Sequence, residues 1–288
     1  MERRDLKLER PRKIAIYGKA GIGKSITASN LTAALSHMGE RVMQVGCDPK
    51  RDSVALLCHR LVPTVLEKMS GEESGAETIT DEILEEVIFR GYNDTVCCES
   101  GGPRPGIGCA GRGVMVALQL LEQHNIFNRY GITFAVFDIL GDVVCGGFAQ
   151  PMRSGYAREI YIVTNGEPLS LFITNNILRA VKSLSSQGYD VGIAGLILNE
   201  RNVPHEAKIV QEFAKRVGVP LTLSIPRSLK VQQAEAMSQT VVEAFPDSDQ
   251  ARIYSELAKR VIDNPYIYVP EPMGSMDEIL ENIKMYLM

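Results

Sequence analysis

The stretch GKAGIGKS, Gly18 to Ser25, spaces its glycines, lysine and hydroxyl as G-x-x-x-x-G-K-S/T, directly after the apolar run KIAIY and at the start of a helical pattern. In that context the loop cradles phosphate: backbone N–H groups around Gly18, Gly21 and Gly23 and the helix N-terminus face the anion. Lys24 neutralises the β and γ oxygens, and the Ser25 hydroxyl ligates Mg²⁺. Two aspartates at the ends of apolar runs complete such a site. Asp138 closes ITFAVFD and suits holding Mg²⁺ through water; Asp48, in VGCDPKRDS, suits orienting the attacking water.

A second chemistry lies in two glycine-flanked cysteines. Cys109 sits in GPRPGIGCAGRG and Cys145 in GDVVCGGFAQP, seven residues after Asp138 and close behind Asp142. A segment that begins at the terminal phosphate and ends in a soft thiolate can convert nucleotide state into a shift at a metal centre. A 4Fe–4S cluster needs four thiolates, and these cysteines supply two, so the simplest closure is a symmetric dimer with one cluster on its axis. Cys47, Cys97 and Cys98 lie on or beside strand patterns and Cys58 ends a short apolar run; all four read as core thiols. His37, His59, His124 and His205 are scattered without ligand spacing.

The elements that must carry these residues alternate. Seven apolar runs (13–17, 41–46, 95–100, 132–138, 159–164, 191–199 and 221–226) read as buried parallel strands. Between them lie helical patterns such as KSITASNLTAALSHMG, VMVALQLLEQHNIF, LFITNNILRAVKSLSSQG and HEAKIVQEFAKRVG, several closing on Gly as a C-cap would. Alternation of this kind predicts a doubly wound α/β sheet, mainly parallel, with helices on both faces. No repeat or long linker divides the 288 residues, so a single domain is expected, with residues 1–11 a flexible N-terminal extension and 265–288 a C-terminal extension.

A net charge of −4 argues against a nucleic-acid partner. The charged opening MERRDLKLERP has no secretory apolar centre, and no run approaches a membrane span, so a cytoplasmic protein without a membrane partner is expected. The absence of any CxxC pair disfavours a zinc ribbon.

Lys19, just after the first glycine, resembles the deviant Walker A signature of ATPases that sandwich nucleotide between two subunits, where this lysine reaches the partner's nucleotide. More fully, YGKAGIGKS, VGCDPKRDS, ESGGPRPGIGCAGRG, DILGDVVCGGFAQPMR, GLILNERN and YSELAKRVIDN resemble the nitrogenase iron protein family over nearly the whole chain. The resemblance implies a P-loop NTPase fold and a homodimeric, ATP-dependent electron donor. It also implies a bridging 4Fe–4S cluster on Cys109 and Cys145, a separate catalytic component as docking partner, and a ferredoxin or flavodoxin as electron source. It further implies phosphate and Mg²⁺ contacts from Lys19, Lys24 and Ser25, hydrolysis assisted by Asp48, switch segments holding Asp52 and Asp142, adenine contact by Asn199 and docking through Arg112.

The chain departs from the family's pattern at several positions. Ala20 replaces a usual glycine, Ile26 a common threonine, and Ser228 an aspartate beside the base. Arg104 stands where nitrogenase iron proteins usually carry an acidic residue, on the loop leading to the cluster. Charge reversal there suits a differently charged docking face. RLVPTVLEKMSG resembles the tetrapyrrole-reducing relatives, whereas the C-terminal segment resembles the nitrogenase type. The expectation is a nitrogenase-like system, methylthio-alkane reductase first. The alternatives are nitrogenase itself and the reductases of coenzyme F430 or (bacterio)chlorophyll synthesis. A non-redox positioning or partitioning ATPase shares the deviant loop and the dimer; it has no use for Cys109 and Cys145.

Overall fold

The computed structural model describes residues 2–6, 11–47, 50–70, 81–102, 110–139 and 149–287. Among them ten strands form one sheet: β1 (Glu2–Asp5), β2 (Arg12–Gly18), β3 (Val42–Cys47), β4 (Ile88–Arg90), β5 (Val96–Glu99), β6 (Phe134–Ile139), β7 (Glu159–Thr164), β8 (Gly192–Asn199), β9 (Leu221–Ile225) and β10 (Tyr266–Val269). The order is β1-β10-β8-β7-β2-β6-β3-β5-β4, with β9 also paired to β8. All seven runs expected as strands are present, and these seven are the parallel ones.

Continuous apolar strands need cover on both faces, and the sheet has it. Alternate residues of β2 and β6 feed opposite cores: Ile14, Ile16 and Val136 enter one, Ala15, Tyr17 and Phe137 the other. Helices Lys24–His37 and Asp249–Asp263 cover the first face, while Ala110–Gln123, Pro168–Ser186 and Glu206–Arg216 cover the second. The helix expected over 114–127 is broken, because Asn125 turns left-handed (φ 52°) and a separate turn, Ile126–Arg129, follows.

The start of the chain differs from expectation. Residues Glu2–Asp5, placed in a flexible extension, pair antiparallel with Tyr266–Val269. In the C-terminal extension, β10 extends the sheet and helix Met276–Leu287 packs on Pro168–Ser186 and Glu206–Arg216. Asn175 fixes that connection by donating to Met273 O at 3.0 Å and accepting from Met273 N at 2.8 Å. No described helix is long and apolar enough to cross a membrane.

At the N-terminal edge of the central strands, Arg12 meets Glu159 across β2 and β7 through contacts of 2.6 to 2.9 Å, both side chains being buried. Arg12 also donates to Ile262 O and Asn264 O, each at 2.8 Å. Burial pushes the Glu159 carboxyl up, and the neighbouring Arg12 guanidinium opposes that shift. The opposite edge, where the parallel strands end, holds the loops after β2, β3, β5 and β6.

Candidate nucleotide and cluster site

β2 ends at Gly18, where a Cβ would come within 2.5 Å of Val163 O on β7. The loop then turns through Gly23 (φ 91°), which precedes the helix starting at Lys24. That helix start carries no side-chain cap and no acidic residue in its first turn. By contrast Ser228, Thr240 and Ser248 cap the helices that follow them. Uncapped N–H groups at a positive helix end form an anion site.

A cavity of about 340 Å³ opens over this loop. Lys19, Lys24, Lys50 and Arg201 line it against two carboxylates, Asp52 and Glu235. The excess of cations suits a polyphosphate. Lys24 Nζ pairs with Asp138 Oδ1, both nearly or fully buried. Asp138 Oδ2 is buried and has no hydrogen-bond partner among the described residues. An acceptor orphaned on the carboxylate that pairs with Lys24 fits a hydrated divalent cation. Asp138 itself does not line the cavity; its contact with the cavity lining is the pair with Lys24. Lys19 Nζ lies 3.7 Å from Glu167 Oε2 of its own chain.

Behind the cavity a buried polar network fixes the segment after β3. Ser29 Oγ donates to Ser53 O at 2.7 Å, and Gln44 Nε2 donates to Ser53 O at 2.8 Å and Ser53 Oγ at 3.0 Å. Val54 N donates to Glu99 Oε1 at 2.8 Å. The Glu99 carboxylate occupies the space a side chain at Gly46 would take. Exposed Asp52 is thus held between the P-loop helix and the end of β5.

A smaller cleft of about 120 Å³ shares Gly23, Ile26, Arg201 and Glu235 with the phosphate cavity and reaches Asn199 and Ser228. Asn199 Nδ2 donates to Ile22 O at 2.6 Å, and Arg201 donates to Gly21 O at 2.9 Å, so β8 clamps the phosphate loop at two carbonyls. Buried Glu206 orients this clamp, accepting from Arg201 N at 2.8 Å, Val203 N at 3.2 Å and Gly166 N at 2.9 Å. Ser228 caps the helix Leu229–Ala236, its hydroxyl accepting from Lys230 N at 3.3 Å. Sequence reasoning missed Arg201, Glu206, Gln44 and Glu99. The signal for Arg201 was its place two residues beyond Asn199 at a strand end; buried Glu206 gave none.

Asp48, Arg104, Cys109, Asp142 and Cys145 lie outside the described residues. Their flanking elements are described: Cys109 precedes helix Ala110–Gln123, which carries Arg112 in its first turn, and Asp142 and Cys145 follow β6. Cys47, Cys97 and Cys98 are fully buried, as expected of core thiols, and Cys58 is half-buried. Burial, with Asp138 and Glu99 nearby, raises the Cys47 thiol well above its ordinary range. Among the described residues no group of three or more His, Cys, Asp or Glu side chains is placed to hold a metal. Cys109 and Cys145 are outside the residues this statement covers.

Solved structures share the fold. MinD of Pyrococcus furiosus aligns with a TM-score of 0.61 at 21% identity, covering 88% of this chain and 98% of that one. A ParA family ATPase from Chlorobium tepidum aligns with a TM-score of 0.65 at 16% identity, covering 87% and 99%. These likenesses establish a doubly wound P-loop architecture and nothing finer. Sequence separates the chain from them: it is 47% identical over 278 residues to the nitrogenase iron protein of Methanospirillum hungatei, covering 96% of each. The family described as "4Fe-4S iron sulfur cluster binding proteins, NifH/frxC family" matches residues 12–287. With a phosphate loop, a buried Lys24–Asp138 pair and the match spanning both cysteine loops, the chain belongs to the NifH/frxC family, the nitrogenase iron protein family, whose cofactors are a 4Fe–4S cluster and MgATP.

Proposed function

We propose that this chain is the reductase component of a nitrogenase-like enzyme, working as a homodimer that bridges one 4Fe–4S cluster between Cys109 and Cys145 of each subunit. Family membership supplies the coarser statement, an ATP-dependent electron donor. The observation that carries the proposal is the uncapped helix start at Gly23–Lys24 under a cation-lined cavity, in a chain whose family match spans both cysteine loops. When bound, the cluster stores and releases single low-potential electrons. Lys24 and Ser25 hold phosphate and Mg²⁺, Lys19 reaches the partner subunit's nucleotide, and Asp48 orients water for hydrolysis. Asp52 and Asp142 move with the terminal phosphate, Asn199 lies against the adenine, and Asp138 positions Lys24 and cation-bound water. Arg104 and Arg112 meet the catalytic component, and a ferredoxin or flavodoxin reloads the dimer.

The substrate system proposed first is methylthio-alkane reductase, in which the catalytic component cleaves carbon–sulfur bonds; the charge reversal at Arg104 supports it. A second reading, the iron protein of nitrogenase itself, is favoured by the 47% identity to the Methanospirillum protein. Pairing the purified dimer with each catalytic component under MgATP separates them. Thiol release from a methylthio-alkane supports the first reading, and ammonia from dinitrogen the second. Turnover with neither, by a dimer that hydrolyses ATP and holds no iron, overturns both.

A further inference from the structure

Residues 99–101, at the end of β5, hold the segment that follows β3 at two places. At the first, Glu99 Oε1 accepts from Val54 N at 2.8 Å, two residues after Asp52 and directly before the short helix Ala55–Cys58. Ala55 and Leu56 of that helix line the phosphate cavity beside Asp52. At the second, Thr64 pairs with Glu99 as an isolated parallel bridge, and Leu66 N donates to Ser100 O at 3.2 Å. Gly101 (φ 76°) permits the close approach, because a Cβ there would collide with the Thr64 side chain.

The same residues are fixed to β3. Gly46 stands opposite Glu99 in the parallel ladder, and Ser100 donates to Gly46 O at 2.8 Å from both its N–H and its hydroxyl. The Glu99 carboxylate lies directly over Gly46, in the space a Cβ would need. Glu99 is fully buried. A buried carboxylate costs stability where an apolar side chain would fill the same space, so its presence is explained by what it holds. Its described partner is the Val54 amide, and a charged acceptor makes that bond about twice as strong as a neutral one.

We propose that Glu99 is a positioning residue of the nucleotide site, the group through which the Asp52 segment and the start of the Cys109 loop respond to nucleotide as one unit. The inference deepens the functional reading above and rests on its assignment of Asp52 to a segment that moves with the terminal phosphate. A shift of Asp52 displaces Val54 N, and the carboxylate follows, because a buried N–H parted from its acceptor is costly. Thr64 and Leu66 draw on the backbone of residues 99 and 100 in the same movement. The strand end carries the shift into Ser100, Gly101 and Gly102, after which the chain runs on to Cys109. This route is separate from the segment after β6 and leads to the other cysteine.

The test is amide hydrogen exchange, read by mass spectrometry on the anaerobic holoprotein with and without the slowly hydrolysed analogue MgATPγS. In the parent chain the analogue should slow exchange in both peptides, 53–66 and 96–102. Glu99→Met has similar length and no acceptor, and should exchange about tenfold faster over 53–57 without nucleotide. With the analogue it should keep the response of the first peptide and lose that of the second. Glu99→Gln retains a neutral oxygen and should restore part of the second response. Protection of only one peptide in the parent chain overturns the inference without any variant. So does an undiminished response of 96–102 in Glu99→Met, which is what a merely structural Glu99 would give alongside a lowered melting temperature. Iron measured on the same samples tests the electron-donor reading separately. Linked protection in a chain without iron supports this inference and overturns that reading; unlinked protection in a chain that holds iron does the reverse.

Discussion

The side-chain amide of Asn199, at the end of β8, donates to the carbonyl of Ile22 in the phosphate loop at 2.6 Å, joining residues 177 apart in the chain. The loop is therefore held from the end of β8 as well as by its own helix. Asn199→Ala removes the donor and leaves a loop carbonyl without it, and Asn199→Asp sets a carboxylate against that carbonyl. Both variants are expected to weaken MgATP binding by about tenfold, equivalent to ~1.4 kcal/mol. Calorimetric titration checks this, and unchanged affinity would show that the clamp is dispensable.

Lys24 has a structural role beside the phosphate role proposed for it, because it neutralises the fully buried Asp138. Lys24→Ala should lower stability without nucleotide by about 3 to 5 kcal/mol, the cost of an uncompensated buried charge. Lys24→Ala with Asp138→Asn should recover much of that loss while nucleotide binding stays impaired. Denaturant melts of the single and double variants distinguish this from a purely catalytic lysine, whose removal would leave the melt unmoved.

The strands that carry the site were legible because a parallel strand covered on both faces is a continuous apolar run, as EIYIVT at Glu159–Thr164 is. The missed strands β1, β4 and β10 are antiparallel, three or four residues long and only partly buried; β1 is ERRD with no apolar residue, and the apolar stretches of β4 (IFR) and β10 (YIYV, set between two prolines) are short. The phosphate loop was legible because its chemistry is local in sequence. The Asn199 clamp on Ile22, the Glu99 carboxylate filling the Gly46 gap and the Glu206 bracket are pairings across the fold, and neither composition nor periodicity encodes them.

The Arg12–Glu159 pair closes the sheet at the edge away from the site. Glu159→Ala is expected to cost about 3 to 5 kcal/mol of stability by leaving the buried guanidinium without its carboxylate. Its ATP affinity, measured below the melting transition, should match that of the parent chain. A loss of affinity with unchanged stability would contradict this separation of roles.

Cys109→Ser and Cys145→Ser should each abolish the cluster, because each removes two of the four thiolates in a dimer. Circular dichroism should show a fold largely intact. The described cores are built from other residues, including Cys47, Cys97 and Cys98. A serine variant with a full complement of iron would remove that cysteine from the ligand set.

The central claim, that nucleotide and cluster act together in one dimer, is tested most directly by iron and acid-labile sulfide per dimer on anaerobically purified protein, with the reduced-state EPR spectrum recorded with and without MgATP. The account predicts about four irons and about four sulfides per dimer and a signal that changes with MgATP. No iron after anaerobic reconstitution, or a cluster signal indifferent to nucleotide, would contradict it.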